Sequence, residues 1–234
     1  MEPLSDARIV ESWSRNAIPW TEAVRGGQIL SRERVTNQAI IETVLRQAPA
    51  SVLDMGCGEG WLSRALVAKG IRVLGVDAIG ALVERARGAG GGEFRQLSYE
   101  AIAEGALDVA MDAVVCNFSL LGEASVEALL AAVPDLLNPG GTLMIQTLHP
   151  VEACGDAPYT DGWRPGSWSG FSDAFSDPAP WYFRTLESWV ALLNRCGLRL
   201  SAMREPLHPD TGRPASVIFV VKPVLFVQTG SLTG

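Results

Sequence analysis

The amino-acid sequence predicts an α/β fold: a seven-stranded, mostly parallel sheet with helices on both faces. Three observations carry this. Between residues 51 and 147, short continuous apolar runs alternate with longer amphipathic stretches, the pattern of repeated β-α-β units. Glycine, proline and asparagine turns separate them. The length of 234 residues is enough for one such sheet and a substantial core.

Residues 1–50 read as an N-terminal helical cap, with a short helix near Asp6–Arg15 and a longer one near Arg32–Gln47. Pro19 sets the intervening Arg15–Thr21 stretch as a non-helical turn. Residues 51–148 form the core. Its strands are predicted at Ser51–Met55, Ile71–Val76, Glu93–Leu97, Asp112–Cys116 and Thr142–Leu148. Helices are expected over Trp61–Lys69, Ile79–Arg87 and Glu123–Leu137, the last ended by Asn138-Pro139-Gly140-Gly141. Residues 149–184 are rich in Pro, Gly, Ser and aromatic residues, and so long an aperiodic stretch reads as a substrate lid. In residues 185–234 a helix from Thr185 to Cys196 and strands at Leu198–Met203 and Val217–Val221 complete the sheet. The whole reads as a single domain.

Hydrophobic residues make up 47% and charged residues 19%, which excludes disordered and collagen-like classes. The net charge of −7 disfavours a nucleic-acid partner. Residues 151–190 hold six acids and two bases, leaving open whether the lid carboxylates face a pocket or solvent. The four cysteines have no Cys-x-x-Cys spacing and read as free thiols. No apolar run is long enough to span a bilayer, the first residues lack a secretory pattern, and a cytoplasmic location is expected. The lid acids Asp156, Asp161, Asp173 and Asp177 are scattered among Gly, Ser and Pro, so no metal is expected.

The sharpest local signal is Val52-Leu53-Asp54-Met55-Gly56-Cys57-Gly58-Glu59-Gly60, at a strand-to-helix turn. Its glycines allow a ligand close to the backbone, and the helix that follows offers free N–H groups. A pyrophosphate-binding loop would place its last glycine at position 61, which is Trp61. Asp54 suits a cationic or zwitterionic ligand. The second strand ends near Asp77, 17 residues after Gly60, where an acid can accept hydrogen bonds from ribose hydroxyls.

This arrangement resembles the class I S-adenosylmethionine-dependent methyltransferases, a Rossmann-like family, and the resemblance spans roughly residues 48–222. It implies S-adenosyl-L-methionine as cofactor. Asp54, Gly56, Cys57 and Gly58 would then border its methionine part, Asp77 its ribose, and Ala78 and Ile79 its adenine. The family's acid near the adenine amino group is replaced by Ser98, which leaves that contact between Ser98 and Tyr99. Asp112 to Leu120 is similar to the fourth motif, so Asn117 and Phe118 would flank the sulfonium. That motif lacks the prolines associated with base and amide methylation. An N-terminal Arg25 or Arg32 would be available to the cofactor carboxylate.

The strand ending at Leu148 delivers His149 to the sheet's carboxyl edge, where α/β folds bind ligands. His149 is therefore the candidate general base or another substrate contact. Eight aromatic residues lie between Tyr159 and Phe183. Of these Trp163, Trp168, Trp181 and Tyr182, together with Trp20, are candidates to line a flat apolar substrate pocket. The expected reaction is methyl transfer to O or N of a small, aromatic or heteroaromatic metabolite. The alternatives are a tRNA-linked or other macromolecular acceptor, and a non-catalytic cofactor-binding module. The sequence carries no reading of oligomeric state.

Overall fold

The structure is a computed structural model that describes residues 4–224. The outermost parts of the 1–50 and 185–234 segments, including the stretch after Val224, lie outside the described residues.

Helix α1 (Asp6–Arg25) starts at Ser5, whose side chain accepts from the Arg8 amide, and stops at Gly26. It corrects the expected break at Arg15–Thr21, because the helix runs through Pro19. A proline inside a helix costs about 3 kcal/mol. Here Trp13, Ala17 and Trp20, spaced i, i+4, i+7, pack on Ile79 and Leu82 and offset that cost. A π-helical turn (Arg32–Thr36) then leads directly into α2 (Asn37–Arg46).

The core follows as β1 (Ser51–Met55), α3 (Trp61–Val67), β2 (Arg72–Asp77), α4 (Gly80–Ala89), β3 (Glu93–Gln96), α5 (Tyr99–Ala103) and β4 (Met111–Asn117). Next come α6 (Ala124–Ala132), a 3-10 turn (Val133–Leu136), β5 (Leu137–Thr147) and the one-turn α7 (Pro150–Ala153). β5 begins earlier than its apolar run predicts. Its pairing with β4 starts at Met111–Leu137 and shifts register before Ala113–Thr142, so the Asn138–Gly141 turn is absorbed as an irregularity of the strand. The lid contains a short hairpin, β6 (Gly162–Arg164) with β7 (Trp181–Phe183), that periodicity did not reveal. The chain then forms α8 (Leu186–Arg195), β8 (Leu198–Arg204) and β9 (Val217–Pro223).

The main sheet has seven strands in the order β3-β2-β1-β4-β5-β9-β8. Strands β1 to β5 pair in parallel, and β9 joins antiparallel to β5 and β8. Every residue of β1 is buried, as expected for a parallel strand covered on both faces. One face packs Ile40, Val44, Leu62 and Leu66 of α2 and α3. The other packs Leu129, Leu130, Trp189 and Leu192 of α6 and α8. The order reverses between β1 and β4, where the chain leaves β1 toward α3 and β4 toward α6, which opens a crevice at their carboxyl ends. Among the described residues, no helix is long and apolar enough to cross a membrane.

Candidate functional site

The crevice holds a cavity of about 390 Å³, within the range of small-ligand sites. Its floor is the turn from β1 to α3. Gly56 has φ +71°, and a Cβ there would lie 2.3 Å from the Ser119 Cβ, so only glycine fits. Gly58, at φ +58°, has only the Trp20 indole nitrogen near its Cβ position, at 3.9 Å, and its backbone faces open space.

Asp77 ends β2, and both carboxylate oxygens are oriented by the backbone. The Gly58 amide donates to one and the Ile79 amide to the other, each at 2.8 Å. Each oxygen keeps a further lone pair for a hydroxyl donor. Burial pushes the Asp77 carboxyl above the usual carboxylate range, and the two amides oppose that shift.

Asp54 is fully buried and accepts from Ser63 of α3 at 2.7 Å. Burial raises its pKa to about 6, the Ser63 hydrogen bond opposes the rise, and the nearby Asp77 charge adds to it. Asp54 and Asp77 thus concentrate negative potential at the loop, whereas a third acid, Glu59, is neutralised by arginines. Glu59 is almost fully buried, paired with Arg25 and Arg64, each at 2.7 Å. Burial also raises the Cys57 thiol, so it stays protonated.

Of the cofactor residues expected from sequence, Gly56, Cys57, Gly58, Asp77, Ala78, Ile79, Tyr99, Asn117 and Phe118 all line this cavity. Asp54 sits behind the wall, not in it. Ser98 is turned away as the N-cap of α5, accepting from the Ala101 amide at 3.2 Å. Tyr99 and Glu100 occupy the wall instead. The Tyr99 hydroxyl donates to the Ser119 carbonyl at 3.2 Å, and burial holds it well above the usual phenol range. Phe118 has φ +53°, a strained conformation for a bulky side chain and one that concentrates at functional sites. The Asn117 Oδ1 is buried without a partner among the described residues.

Another part of the wall is aromatic. Trp13 and Trp20 of α1 meet edge to face at 4.9 Å, and Trp168 and Phe171 of the lid pack on them at 5.6 and 6.3 Å. The lid is fixed to α1 by Asn16. Its amide donates to the Ser176 carbonyl at 2.7 Å and accepts from the Ser176 N–H at 3.0 Å. Asp177 adds pairs to Arg8 and Arg15 at 2.8 and 2.5 Å.

Phe175 backs Trp168 and Phe171 at 4.8 and 4.9 Å, and three other lid aromatics go elsewhere, which corrects the expectation for them. Trp163, Trp181 and Tyr182 are absent from the cavity wall. They belong to the β6–β7 hairpin, where Trp163 meets Tyr182 edge to face and donates to Glu123 at 3.0 Å, and Trp181 packs on Phe183. Short antiparallel pairing turns them away from the crevice. The lid acids are resolved too: Asp156, Asp161 and Asp173 are exposed, Asp177 pairs with arginines, and none lines the cavity.

His149 also departs from expectation. Leu148 lines the cavity, but His149 does not. Its ring is buried and turned toward the end of β8, with Nε2 2.7 Å from a carboxylate oxygen of Glu205. The geometry does not bring it to where an acceptor's proton would be taken. His208 engages only its own turn, at the Asp210 amide. Among the described residues, no cluster of three His, Cys, Asp or Glu could hold a metal ion.

Sequence reasoning singled out Arg25 and Arg32 together, and the structure separates them. Arg25 is engaged by Glu59 and by the Arg85 carbonyl. Arg32 lines the cavity with its guanidinium 5.5 Å from the Trp20 ring and 4.9 Å from the Trp61 ring. Burial lowers its pKa to about 10, partly opposed by Glu59 and Glu33. Asn16, Thr36 and Ser119 were missed, since nothing local marks a residue whose role is a contact with a distant loop.

The family profile described as a methyltransferase domain matches residues 30–201. Curated relatives named ubiquinone biosynthesis O-methyltransferase include one from Idiomarina loihiensis, 34% identical over 102 residues, covering 42% of each chain. Another, from Xanthomonas campestris pv. campestris, is 36% identical over 110 residues, covering 44% of this chain and 45% of the relative. The chain therefore spans less than half the length of these relatives. Among solved structures, an S-adenosylmethionine-dependent methyltransferase from Mesorhizobium loti aligns with TM-score 0.57 at 22% identity, covering 73% of this chain and 89% of that one. The glycopeptide N-methyltransferase MtfA, complexed with S-adenosylmethionine, aligns at 0.61 and 19% identity over 80% and 86% of the two chains. At these identities the structural likeness concerns the fold: the seven-stranded sheet and crevice described above. With the profile spanning most of the sequence, the chain belongs to the methyltransferase-domain family.

Proposed function

We propose that the protein transfers a methyl group from S-adenosyl-L-methionine to O or N of a small, flat, largely apolar metabolite. The observation that carries this reading is one cavity walled on one side by the glycine loop and Asp77 and on the other by Trp13, Trp20, Trp168 and Phe171.

The residues present fit the cofactor. The open backbone at Gly58 and the two backbone-oriented oxygens of Asp77 suit a ribose diol. Asp54 and Asp77 favour a ligand with positive charge, while Arg32, half-buried with no carboxylate in contact among the described residues, suits its carboxylate end. Asn117 and Phe118 line the same cavity. When bound, S-adenosylmethionine supplies an electrophilic methyl group. The protein's part is to hold the acceptor in line and exclude water, a contribution of about 7–11 kcal/mol in well-oriented systems. With both imidazoles outside the cavity wall, positioning carries more of the rate than proton abstraction. The names of the ubiquinone-biosynthesis O-methyltransferase relatives agree with a small acceptor but do not assign one.

The test is calorimetry with S-adenosylmethionine, its demethylated product and a reduced nicotinamide, followed by mass spectrometry of a metabolite extract for a product one methylene heavier. Tight binding of the first two alone is expected. Binding of the nicotinamide in their place would reject the reading.

A further inference from the structure

The β6–β7 hairpin does not reach the cavity wall, yet it holds a segment that does. Between Asn117 of β4 and Ala124 of α6 the chain is irregular, and Phe118, Ser119, Leu121 and Gly122 of this segment line the cavity. Backbone carbonyls in such a segment need partners from elsewhere. Three consecutive ones find them on β7 and the residue that follows it. The Leu121 carbonyl accepts from the Tyr182 amide at 2.7 Å. The Gly122 and Glu123 carbonyls accept from the two terminal nitrogens of the Arg184 guanidinium, at 2.8 and 3.0 Å. Arg184 is only 3% exposed, and these two carbonyls are its hydrogen-bond partners among the described residues. Its guanidinium lies 4.7 Å from the Tyr182 ring and 5.3 Å from the Trp189 ring. Burying a cation is costly unless its donors are engaged, and a planar fork can meet two carbonyls at once where an ammonium is a point charge.

The same segment is also held by α1. A carboxylate oxygen of Asp6 accepts from the Glu123 amide at 3.0 Å and from the Ser125 hydroxyl. Gly122 leaves no room between them, since a Cβ there would overlap the Asp6 carboxylate. Asp6, Ile9 and Trp13, at helical spacing on one face of α1, line the same cavity. We propose that Arg184 is a positioning residue for this cavity. It fixes the backbone of residues 121–123 against the first turn of α1 and so sets the wall that Leu121 and Gly122 present to a ligand. Arg184 does not line the cavity and acts only through that backbone. The lid hairpin and α1 are thereby coupled through one segment, which explains a buried cation that no carboxylate neutralises by contact. The choice of ligand in the test rests on the methyl-transfer reading above.

The test compares Arg184→Met, Arg184→Lys, Asp6→Ala and the double variant Arg184→Met with Asp6→Ala, each in the full chain. S-adenosylhomocysteine affinity is measured by calorimetry, and amide hydrogen exchange is measured on the free proteins. Arg184→Met keeps an apolar stem between Tyr182 and Trp189 but leaves two carbonyls unpaired. It should weaken S-adenosylhomocysteine binding about three- to thirtyfold. Exchange should rise at least about tenfold in residues 119–125 and 6–13, with the central strands unchanged. Arg184→Lys, which keeps the charge and one donor direction, should fall between native and Arg184→Met. Residues acting through one segment are non-additive, so the double variant should lose less affinity than the product of the single losses, by about threefold or more. A merely structural role would speed exchange in residues 181–195 alone. That pattern, an unchanged affinity, or independent effects in the double variant would each overturn the proposal. If Arg184→Met does not fold, Arg184→Lys carries the comparison, and native affinity in that variant overturns the proposal. Failure of the native chain to bind S-adenosylhomocysteine would instead remove the methyl-transfer reading, and the exchange pattern of the free proteins then decides on Arg184.

Discussion

Asp54 shows how a single buried residue holds a cost in the folded chain. Its carboxyl is sealed between β1 and α3 with one hydrogen bond, from Ser63, and burial raises its pKa from 3.8 to about 6. The folded chain therefore binds a proton more tightly than the unfolded chain does. Stability from this group is greatest below the unfolded pKa and falls as pH rises through about 6, by on the order of 3 kcal/mol. Asp54→Asn keeps a partner for Ser63 and removes the charge. It should be more stable than the native chain at about pH 7.5 and lose that advantage toward about pH 4. Urea unfolding at the two pH values checks this, and a pH-independent difference would reject the assignment. The same variant should bind S-adenosylmethionine about tenfold more weakly, because the loop loses part of its attraction for positive charge.

At the scale of elements, α1 and the lid act as one closure held by unequal contacts. Asn16 is buried and bonds both polar groups of the Ser176 peptide. Asn16→Leu leaves the Ser176 N–H unpaired, while the carbonyl keeps the Trp168 indole N–H at 2.9 Å, and should cost about 1–3 kcal/mol, with faster limited proteolysis between residues 165 and 177. Asp177→Asn weakens only partly exposed pairs with Arg8 and Arg15 and should change stability by less than about 1 kcal/mol. Equal effects of the two variants would show that charge, not the buried amide, fixes the lid. Pro19 tests the helix itself. Pro19→Ala restores a missing helical donor and should raise stability by up to about 3 kcal/mol, measured by thermal melting. No gain would mean that the local backbone is already bent to suit the proline.

For the whole molecule, the cofactor should behave as a ligand of the folded state. At a hundredfold excess over Kd, S-adenosylmethionine should add about 2.7 kcal/mol of stability. For a chain of this length that corresponds to a rise of roughly 5–10 °C in Tm, while a reduced nicotinamide should give none. The strands and the glycine loop were legible in sequence because both are local: apolar runs, turns and the 17-residue step from Gly60 to Asp77 lie along one contiguous stretch. Pro19 misled because a local penalty was weighed without the packing of Trp13, Ala17 and Trp20. His149 misled for a related reason. Position in the chain carried it to the sheet edge, but the rotation of its ring toward Glu205 depended on β8, 56 residues away. The lid divided likewise, with Trp168 and Phe171 on the cavity and Trp163, Trp181 and Tyr182 on a hairpin that its sequence does not announce. By itself the sequence determined the sheet, the crevice and the glycine loop, since periodicity and glycine geometry act over a few residues. Tertiary structure decided which aromatic, basic and polar side chains reach that crevice, because their directions are set by contacts between segments far apart in the chain.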